Sequence, residues 1–230
     1  MALTEQKFAT RNELNVAFAE QVADLLSEAV AANGTAFLAV SGGSTPLPFF
    51  QQLCQQAIDW SKVVVTLADE RWVDNSSADS NEKLVRENLL VEKAAAARFF
   101  PLKTSHSDAF DAVSALAADD AQPKLPLDVL ILGMGGDAHT ASLFPCCAQI
   151  DAGLDLKSGN TFIATEPTTA PHQRMSYTLP ALVSATNIFL HLTGDEKLSV
   201  LEHALSVANA AEKPIKAVVE NADVNLVWAP

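Results

Sequence analysis

Apolar residues recur along the chain in two rhythms, one helical and one typical of buried strands. Within residues 12–32 they recur every three or four positions, and Gly34 follows where a helix C-cap would lie. This spacing predicts an amphipathic helix. Three shorter segments are apolar almost throughout, which predicts strands buried on both faces; they span residues 35–40, 63–70 and 127–133.

Strands and helices continue to alternate through the rest of the chain. The pattern predicts strands at 161–166, 187–194 and 224–229, and helices at 46–54, 79–90, 109–118, 179–184 and 195–207. Apolar strands separated by helices predict a mostly parallel sheet with helices on both faces. Residues 122–126 are a candidate crossover loop, but we find no repeat and no linker, so we expect a single α/β domain over residues 1–230.

Composition narrows the class of protein. The chain is 49% hydrophobic and 19% charged, which is typical of a soluble globular protein. Its 15 basic residues against 28 acidic ones leave a net charge of −13. Nucleic-acid binding needs clustered Lys and Arg, so we expect no nucleic-acid partner. An anionic ligand must then be bound by a few local cations.

The cysteines and the N-terminus predict a cytoplasmic location. Cys54, Cys146 and Cys147 form no CxxC pair and no metal-ligand spacing, and their odd number does not suggest a disulfide framework. The first residues lack the apolar segment of a signal peptide, and no run of about 18 apolar residues occurs. We therefore expect neither export nor a membrane span.

Three polar clusters begin where a predicted strand ends. They are SGGSTP (41–46), DERW (69–72) and GMGGDAHTAS (133–142). Ligands of open α/β sheets bind beyond the carboxyl ends of the strands. We therefore expect the three clusters to form one composite site.

The first cluster has the composition of a phosphate site. Its glycines let the backbone approach a ligand, and amides and hydroxyls before a helix suit an anion. The candidate residues are Gly42, Gly43, Ser44 and Thr45. An ordinary strand-to-helix turn capped by a hydroxyl is the alternative, and the missing Gly-Lys-Ser/Thr excludes a P-loop.

The second cluster combines acids with an arginine. Arg71 is a candidate for gripping an anion or an oxyanion, and Asp69 for orienting a hydroxyl. A solvated cluster of ion pairs explains these four residues equally well. The nearby residues Asp79, Ser80 and Asn81 are candidates for capping the next helix.

The third cluster offers a candidate base. Histidine has an ordinary pKa of about 6.5 and can accept a proton from water at neutral pH. His139 stands in a glycine loop at a strand end, and Asp137 can select its tautomer. A purely structural histidine is the alternative.

A dinucleotide site is a rival interpretation of the same loop. Gly133, Gly135 and Ala138 satisfy the G-x-G-x-x-G/A pattern after a strand. In a dinucleotide-binding βαβ unit, an acid follows about 20 residues further on, at the end of the next strand. The nearest acid so placed, Glu166, lies too far along the chain, so the match is weak.

Two further cations stand out. Arg174 precedes a short extended segment, and Lys197 lies in the first turn of a predicted helix, where it opposes the helix dipole. An anionic ligand would explain that placement, and simple exposure is the alternative. No metal pattern and no G-x-S-x-G elbow is present, and the remaining histidines are scattered, at His106, His172, His191 and His203.

Five motifs follow one another across nearly the whole chain: SGGSTP, DERWV with DSN, GMGGDAHTASLFP, QRMSYTLPAL and LTGDEK. Together they closely resemble the glucosamine-6-phosphate isomerase/6-phosphogluconolactonase family. HTASLFP favours the lactonase branch over the deaminases. The resemblance implies a modified Rossmann-like α/β fold and hydrolysis of 6-phospho-D-glucono-1,5-lactone in the oxidative pentose phosphate pathway, without a cofactor or metal.

The resemblance also implies roles for residues and a partner. His139 becomes the general base, with Asp137 and Arg71 in the catalytic group. The implied substrate contacts are Gly42, Gly43, Ser44, Thr45, Asp69, Arg174 and Lys197. The expected partner is a small phosphorylated sugar lactone, and the expected state is a monomer or weak homo-oligomer. An amino-sugar-phosphate deaminase and a non-catalytic sugar-phosphate sensor are the alternatives.

One position departs from the family pattern. The loop usually contains G-D-G-H, and here Ala138 replaces the second glycine. If the backbone there has positive φ, alanine costs on the order of 1 kcal/mol. We expect either that the backbone is not left-handed or that the loop carries modest strain.

Overall fold

Two β-sheets organise the computed structural model, which describes residues 1–207 and 209–230. Their strands, in chain order, are β1 (Leu3–Lys7), β2 (Ala36–Val40), β3 (Val63–Leu67), β4 (Asp69–Arg71), β5 (Arg98–Phe99), β6 (Val129–Leu132), β7 (Phe162–Thr165), β8 (Arg174–Tyr177), β9 (Asn187–Thr193) and β10 (Val224–Ala229). The larger sheet is parallel throughout, in the order β1-β10-β9-β6-β2-β3-β5. The smaller sheet, β4-β8-β7, is antiparallel.

Helices connect most of these strands. They are α1 (Arg11–Asn33), α2 (Leu47–Leu53), α3 (Asn81–Asn88), α4 (Ala109–Ala117), α5 (Ile150–Leu154), α6 (Leu179–Val183), α7 (Asp195–Ser206) and α8 (Pro214–Asn221). Short 3₁₀ turns lie at Trp60–Lys62, Glu92–Ala96 and Ala210–Glu212. Within the residues described, no helix is long and apolar enough to cross a membrane.

The core lies between the parallel sheet and its helices. All five residues of β3 are buried. Phe18 of α1 packs on Phe49 of α2 and on Phe189 of β9, with ring centroids 4.5 Å and 5.0 Å away. Each such side chain contributes about 2 to 3 kcal/mol by leaving water. The prediction of an α/β fold with a mostly parallel sheet is confirmed.

The first helix begins and ends where its flanking residues indicate. Thr10 accepts a hydrogen bond from the amide of Glu13, whose carboxylate accepts one from the amide of Thr10. Gly34 ends the helix with a φ of 76°, a left-handed conformation that glycine adopts without a Cβ clash.

The prediction of one continuous strand over residues 63–70 is wrong, because the chain changes sheets at Ala68 and residues 69–71 form a second strand. The amide of Ala68 donates to the carbonyl of Val40 in the parallel sheet (2.8 Å). Its carbonyl accepts from the amide of Tyr177 in the antiparallel sheet (3.1 Å). β4 therefore pairs with β8, and this places Arg71 directly opposite Arg174.

Several elements of the structure were not predicted from the sequence pattern, for identifiable reasons. β1 is a polar edge strand, LTEQK, whose order comes from pairing with β10. α5, IDAGL, is short and contains a glycine, which is a poor helix former, so its sequence carries no helical signal. α8 could have been predicted, since Pro214 occupies its first turn and the buried residues Ile215 and Val218 are three positions apart.

A buried histidine in β9 is enclosed by aromatic rings. His191 lies 5.4 Å from Phe18 and 5.8 Å from Phe49 between ring centroids. Neither ring nitrogen has a hydrogen-bond partner among the described residues. Burial lowers the pKa of His191 to about 4, so the imidazole is neutral at physiological pH.

We expect His191→Leu to remove one component of the pH dependence of stability. As the pH falls from 6.5 towards 4, the unfolded chain binds a proton that the folded chain does not, so folding is progressively weakened. Between pH 7 and pH 5 this group lowers the free energy of unfolding by about 2 kcal/mol. Urea unfolding of both proteins at the two pH values measures the difference. If the free energy of unfolding falls equally in both proteins between the two pH values, His191 is not the source of this component.

Candidate active site

A cleft opens at the carboxyl ends of β2 and β6, which are neighbours in the parallel sheet. Ser41 ties the two strand ends together, because its hydroxyl donates to the carbonyl of Ile131 (3.1 Å) and accepts from the amide of Gly133 (3.2 Å). The cleft contains two adjoining cavities of about 150 Å³ and 260 Å³, which share Ser41, Gly42, Gly133 and Met134.

The two cavities differ in the chemistry of their walls. We call the smaller one the histidine chamber; it is also lined by Asp69, Arg71, Asn81, His139, Phe144 and Arg174. We call the larger one the loop chamber; it is also lined by Gly43, Ser44, Thr45, His191 and Lys197. The three clusters that follow strand ends thus meet in one cleft.

The structure brings the predicted site residues together. Asp137 lies outside the chamber walls but contacts His139, and the other candidates line one chamber or both. Arg174 and Lys197 were both expected to contact the substrate, and they line different chambers. The histidine chamber therefore carries more positive charge than the motifs indicated.

The histidine and the aspartate of the third cluster form a close pair. Oδ1 of Asp137 lies 2.6 Å from Nδ1 of His139 and also accepts the amide of His139 at 3.1 Å. Burial raises the pKa of Asp137, but the hydrogen bond and the charge of His139 outweigh burial and lower it to about 2. An ionised carboxylate only accepts, so Nδ1 carries a proton, and Nε2 is the nitrogen whose lone pair is free in the neutral imidazole.

The loop around this pair has no room for a side chain at Gly135. A Cβ there would collide with Cε1 and Nδ1 of His139 and with Oδ1 of Asp137. The amide of Gly135 donates to the carbonyl of His139 (2.9 Å), and its carbonyl accepts from the amide of Ala138 (3.1 Å). The glycine thus lets the chain turn tightly against its own imidazole.

The first turn of α8 and Lys213, the residue before it, hold the outer side of this loop. Nζ of Lys213 donates to the carbonyl of Asp137 (3.3 Å), and the amide of Ile215 donates to the carbonyl of Ala138 (3.1 Å). Lys213 was not among the predicted site residues. A lysine far along the chain carries no local signal that it contacts this loop.

Two guanidinium groups face the histidine chamber with unused donors. Nη1 of Arg71 donates to the carbonyl of Asp79 (2.8 Å), and Nη2 of Arg174 donates to the carbonyl of Pro171 (3.0 Å). Nε of each arginine is buried and has no partner in the described part of the chain. Burial lowers the pKa of Arg174, while the charge of Asp69 counteracts it. Both arginines line the chamber, and the planar donor array of a guanidinium group suits an anion or a polar oxygen.

Glu70, which the sequence analysis passed over, explains why DERW and DSN occur together. Its carboxylate accepts from the amides of Arg71 (2.7 Å), Asn81 (2.8 Å) and Glu82 (2.7 Å), and from the hydroxyl of Ser80 (3.2 Å). Burial nevertheless raises its pKa. This acid at the start of α3 fixes the helix against β4. The side-chain N-cap of α3 is Ser80.

Asp69 is held in place from the opposite side. The hydroxyl of Ser142 donates to Oδ2 of Asp69 at 2.5 Å. The amide of Ser142 donates to the hydroxyl of Ser176 (3.1 Å), and its carbonyl accepts from the hydroxyl of Thr165 (2.9 Å). This buried chain links Asp69 to the loop that carries His139, and its serines and threonine were not predicted.

The loop chamber presents main-chain amides to a ligand. Within the residues that the structure describes, the amides of 42–45 donate to no protein acceptor. A Cβ at Gly42 would collide with the carboxamide of Asn81, so the loop lies directly against α3. Lys197 reaches the same chamber, where its Nζ donates to the carbonyl of Met134 (3.0 Å). α2 has only seven residues, so the amides and hydroxyls, rather than a long helix dipole, suit this chamber to an anion.

No cluster of three or more His, Cys, Asp or Glu side chains with the geometry of a metal site occurs in the described ranges. Cys54, Cys146 and Cys147 are free thiols.

Comparison with known proteins identifies the family. A model described as glucosamine-6-phosphate isomerases/6-phosphogluconolactonase matches residues 9–228. The 6-phosphogluconolactonase of Pseudomonas putida is 42% identical over 230 residues, which cover 100% of this chain and 94% of that protein. The 6-phosphogluconolactonase of Mesorhizobium japonicum is 44% identical, with 97% and 94% covered. A crystal structure of a 6-phosphogluconolactonase from Shewanella baltica OS155 has a TM-score of 0.95 at 42% identity, with 100% and 98% covered.

The chain belongs to the glucosamine-6-phosphate isomerase/6-phosphogluconolactonase family. Within that family, the relatives that it matches along nearly their full length carry the name 6-phosphogluconolactonase. The resemblance that five motifs indicated is confirmed, and so is the prediction of an enzyme from the lactonase branch.

We expect Ala138→Gly to be tolerated. Ala138 is buried with a φ of 68°, so the strain foreseen for this position is present. Glycine relieves about 1 to 2 kcal/mol of left-handed strain but adds about 0.4 to 1 kcal/mol of unfolded-state entropy. The free energy of unfolding should therefore stay the same or rise by up to about 1.5 kcal/mol, and the activity for which the relatives are named should persist.

Denaturant unfolding and turnover of Ala138→Gly, beside Gly135→Ala as the control, make this test. The control places a methyl group against His139 and should lower both quantities. A large loss of turnover in Ala138→Gly alone would show that the alanine methyl group has a function.

Proposed function

We propose that this protein hydrolyses 6-phospho-D-glucono-1,5-lactone to 6-phospho-D-gluconate, with His139 as the general base. The names and full-length similarity of its relatives support the reaction. The pairing of His139 with an ionised Asp137 beside a cavity with cationic donors supports the mechanism. This pairing is the observation on which the proposal rests, because it leaves Nε2 of the imidazole free to take a proton from water.

The two chambers suggest how the substrate lies. We assign the phosphate to the loop chamber, where the free amides of 42–45, the hydroxyls of Ser44 and Thr45, and Lys197 offer donors. The lactone then occupies the adjoining histidine chamber. Binding at the phosphate end orients the ester carbonyl towards His139, which converts the attack into an effectively unimolecular step.

The proposed reaction proceeds through one tetrahedral intermediate. Water adds to the carbonyl carbon while Nε2 of His139 removes its proton, and Asp137 stabilises the imidazolium that forms. We propose that Arg71 stabilises the negative charge that develops on the carbonyl oxygen. We assign Arg174 to substrate binding. The intermediate then collapses, the bond between the acyl carbon and the ring oxygen breaks, and the imidazolium returns its proton to that oxygen.

We further propose that the protein acts in the cytoplasm, as a monomer or weak homo-oligomer, on this small-molecule substrate. The three free thiols, two of which are buried, fit a reducing compartment.

We expect His139→Ala to lower kcat by about 10² to 10⁴-fold, because general-base assistance contributes that much. Binding of 6-phosphogluconate should change little, since the imidazole acts on water. A lactonase assay on freshly prepared substrate, with spontaneous hydrolysis subtracted, measures kcat, and calorimetry measures binding. His203→Ala, an exposed histidine on α7, is the matched control. Full turnover in His139→Ala would remove this residue from the mechanism.

The lactonase assay, an ammonia assay with glucosamine 6-phosphate and the binding measurement together test the reaction against its alternatives. Release of ammonia from glucosamine 6-phosphate by the wild-type protein would indicate a deaminase. Tight binding of 6-phosphogluconate without accelerated loss of the lactone would indicate a sensor.

We expect substitutions of the two arginines to change different steady-state constants. Arg174→Ala should mainly raise KM, because a binding contact acts equally in the ground state and the transition state. Arg71→Ala should mainly lower kcat, by about 10² to 10³-fold, if it serves the oxyanion. Both variants are compared at saturating and at low substrate, with far-UV circular dichroism to verify folding. A fall in kcat alone for Arg174→Ala would transfer the oxyanion role to that residue.

A further inference from the structure

The imidazole of His139 is enclosed more closely than a general base requires. The ring of Phe144 lies parallel to it, with centroids 3.9 Å apart and planes inclined by 23°. The backbone of Gly135 lies so close to the imidazole that a Cβ at this position would collide with Cε1 and Nδ1 of His139. Asp137 holds Nδ1. The imidazole therefore has one orientation in which all three contacts persist.

Phe144 is itself firmly placed. It is 4% exposed, and its carbonyl accepts from the amide of Cys147 (3.1 Å). The preceding turn is closed by the amide of Leu143, which donates to the carbonyl of Thr140 (3.0 Å). The hydroxyl of Thr140 donates in turn to the carbonyl of Gly133 at the end of β6 (2.9 Å). The phenyl ring is thus anchored to the same strand end as the histidine loop.

We propose that Phe144 is a positioning residue for His139: its ring face fixes the imidazole against Asp137 and stabilises the imidazolium while it carries the proton taken from water. The expected effect on kcat rests on the proposed function, whereas the expected effect on the His139 ring does not. The face of an aromatic ring attracts a cation, so the stack favours the protonated imidazole over the neutral one. The ring also prevents rotation that would misplace Nε2, and misplacement by about 1 Å can cost about 10²-fold in rate.

Other charged groups line the cavity around the imidazole, and none of them is altered in sequence when Phe144 is changed. Asp137 comes from the same loop, Asp69 and Arg71 from β4, Arg174 from β8, and Lys213 from the segment before α8. The guanidinium carbon of Arg174 lies 5.7 Å from the centroid of Phe144 on the chamber wall. A substitution that keeps the shape of Phe144 but weakens its π face therefore weakens the stack with His139, together with the more distant contact with Arg174, and the His139 ring protons report the part that passes through the imidazole.

The test uses two variants of the full chain and one control. Phe144→Leu removes the ring, and replacement of Phe144 by a trifluorinated phenylalanine keeps the shape but withdraws electron density from the face. Phe100→Leu is the matched control, because Phe100 is also 4% exposed and lies outside both chambers. Each protein is examined by lactonase kinetics and by NMR titration of the His139 ring protons, assigned with His139→Ala.

We expect Phe144→Leu to lower kcat by about 10-fold or more with little change in KM. The midpoint of the His139 titration should fall by about 0.5 to 1 pH unit. The ring protons of His139 should move downfield as the ring current of Phe144 is lost. The fluorinated variant should show the titration effect with a smaller loss of kcat, and Phe100→Leu should show neither effect.

Two results would overturn the proposal. One is a Phe144→Leu protein with wild-type kcat and an unchanged His139 titration. The other is a lower kcat with unchanged titration and ring-proton shifts, because the effect would then not pass through His139. Wild-type protein that lacks lactonase activity but shows the expected NMR changes would support the stack while refuting the proposed function.

Discussion

The hydrogen bond between Asp137 and His139 is the interaction on which the site depends. It forms only because the loop after β6 turns tightly, which requires a glycine at 135 and a left-handed residue at 138. Asp137 is ionised, with its pKa lowered to about 2, so it fixes the tautomer of the imidazole over the whole physiological pH range. Lys213 and the stack with Phe144 then hold the pair from outside, and the strain at Ala138 is tolerated because these contacts determine the backbone.

A second constraint is the meeting of two sheets at Ala68. The parallel sheet delivers the loops after β2 and β6 to one edge, as open α/β sheets do. The antiparallel sheet delivers Arg71 and Arg174 from paired positions on β4 and β8. Glu70 joins the two arrangements, because it is the middle residue of β4 and binds the start of α3, where Asn81 lies against Gly42 of the loop after β2. The histidine chamber is therefore a junction between sheets, whereas the loop chamber belongs to the parallel sheet alone.

Much of this could be predicted from the sequence, and the limits have physical causes. The apolar strands and the polar clusters after them indicated where the cleft lies, because strand ends are local signals. The change of sheet after Leu67 could not be predicted, since it depends on pairing with a strand more than 100 residues away. The contacts of Lys213 with Asp137 and of Ser142 with Asp69 could not be predicted either, because each joins residues more than 70 positions apart. Glu70 was missed because a buried capping acid and a solvated one look alike in a sequence.

The acidic character of the chain raises the question of how it binds an anion at all. A net charge of −13 repels a phosphorylated sugar at long range, but at physiological ionic strength charges further away than about 8 Å are largely screened. Close to the ligand the balance reverses. Asp69 and Asp137 are both engaged by hydrogen-bond donors, Ser142 and His139, whereas Arg71 and Arg174 line the cavity and, within the described residues, each guanidinium donates to a single carbonyl. The acids inside the cleft are thus occupied and its cations are available, so affinity for an anion comes from the arrangement of hydrogen bonds and not from the net charge.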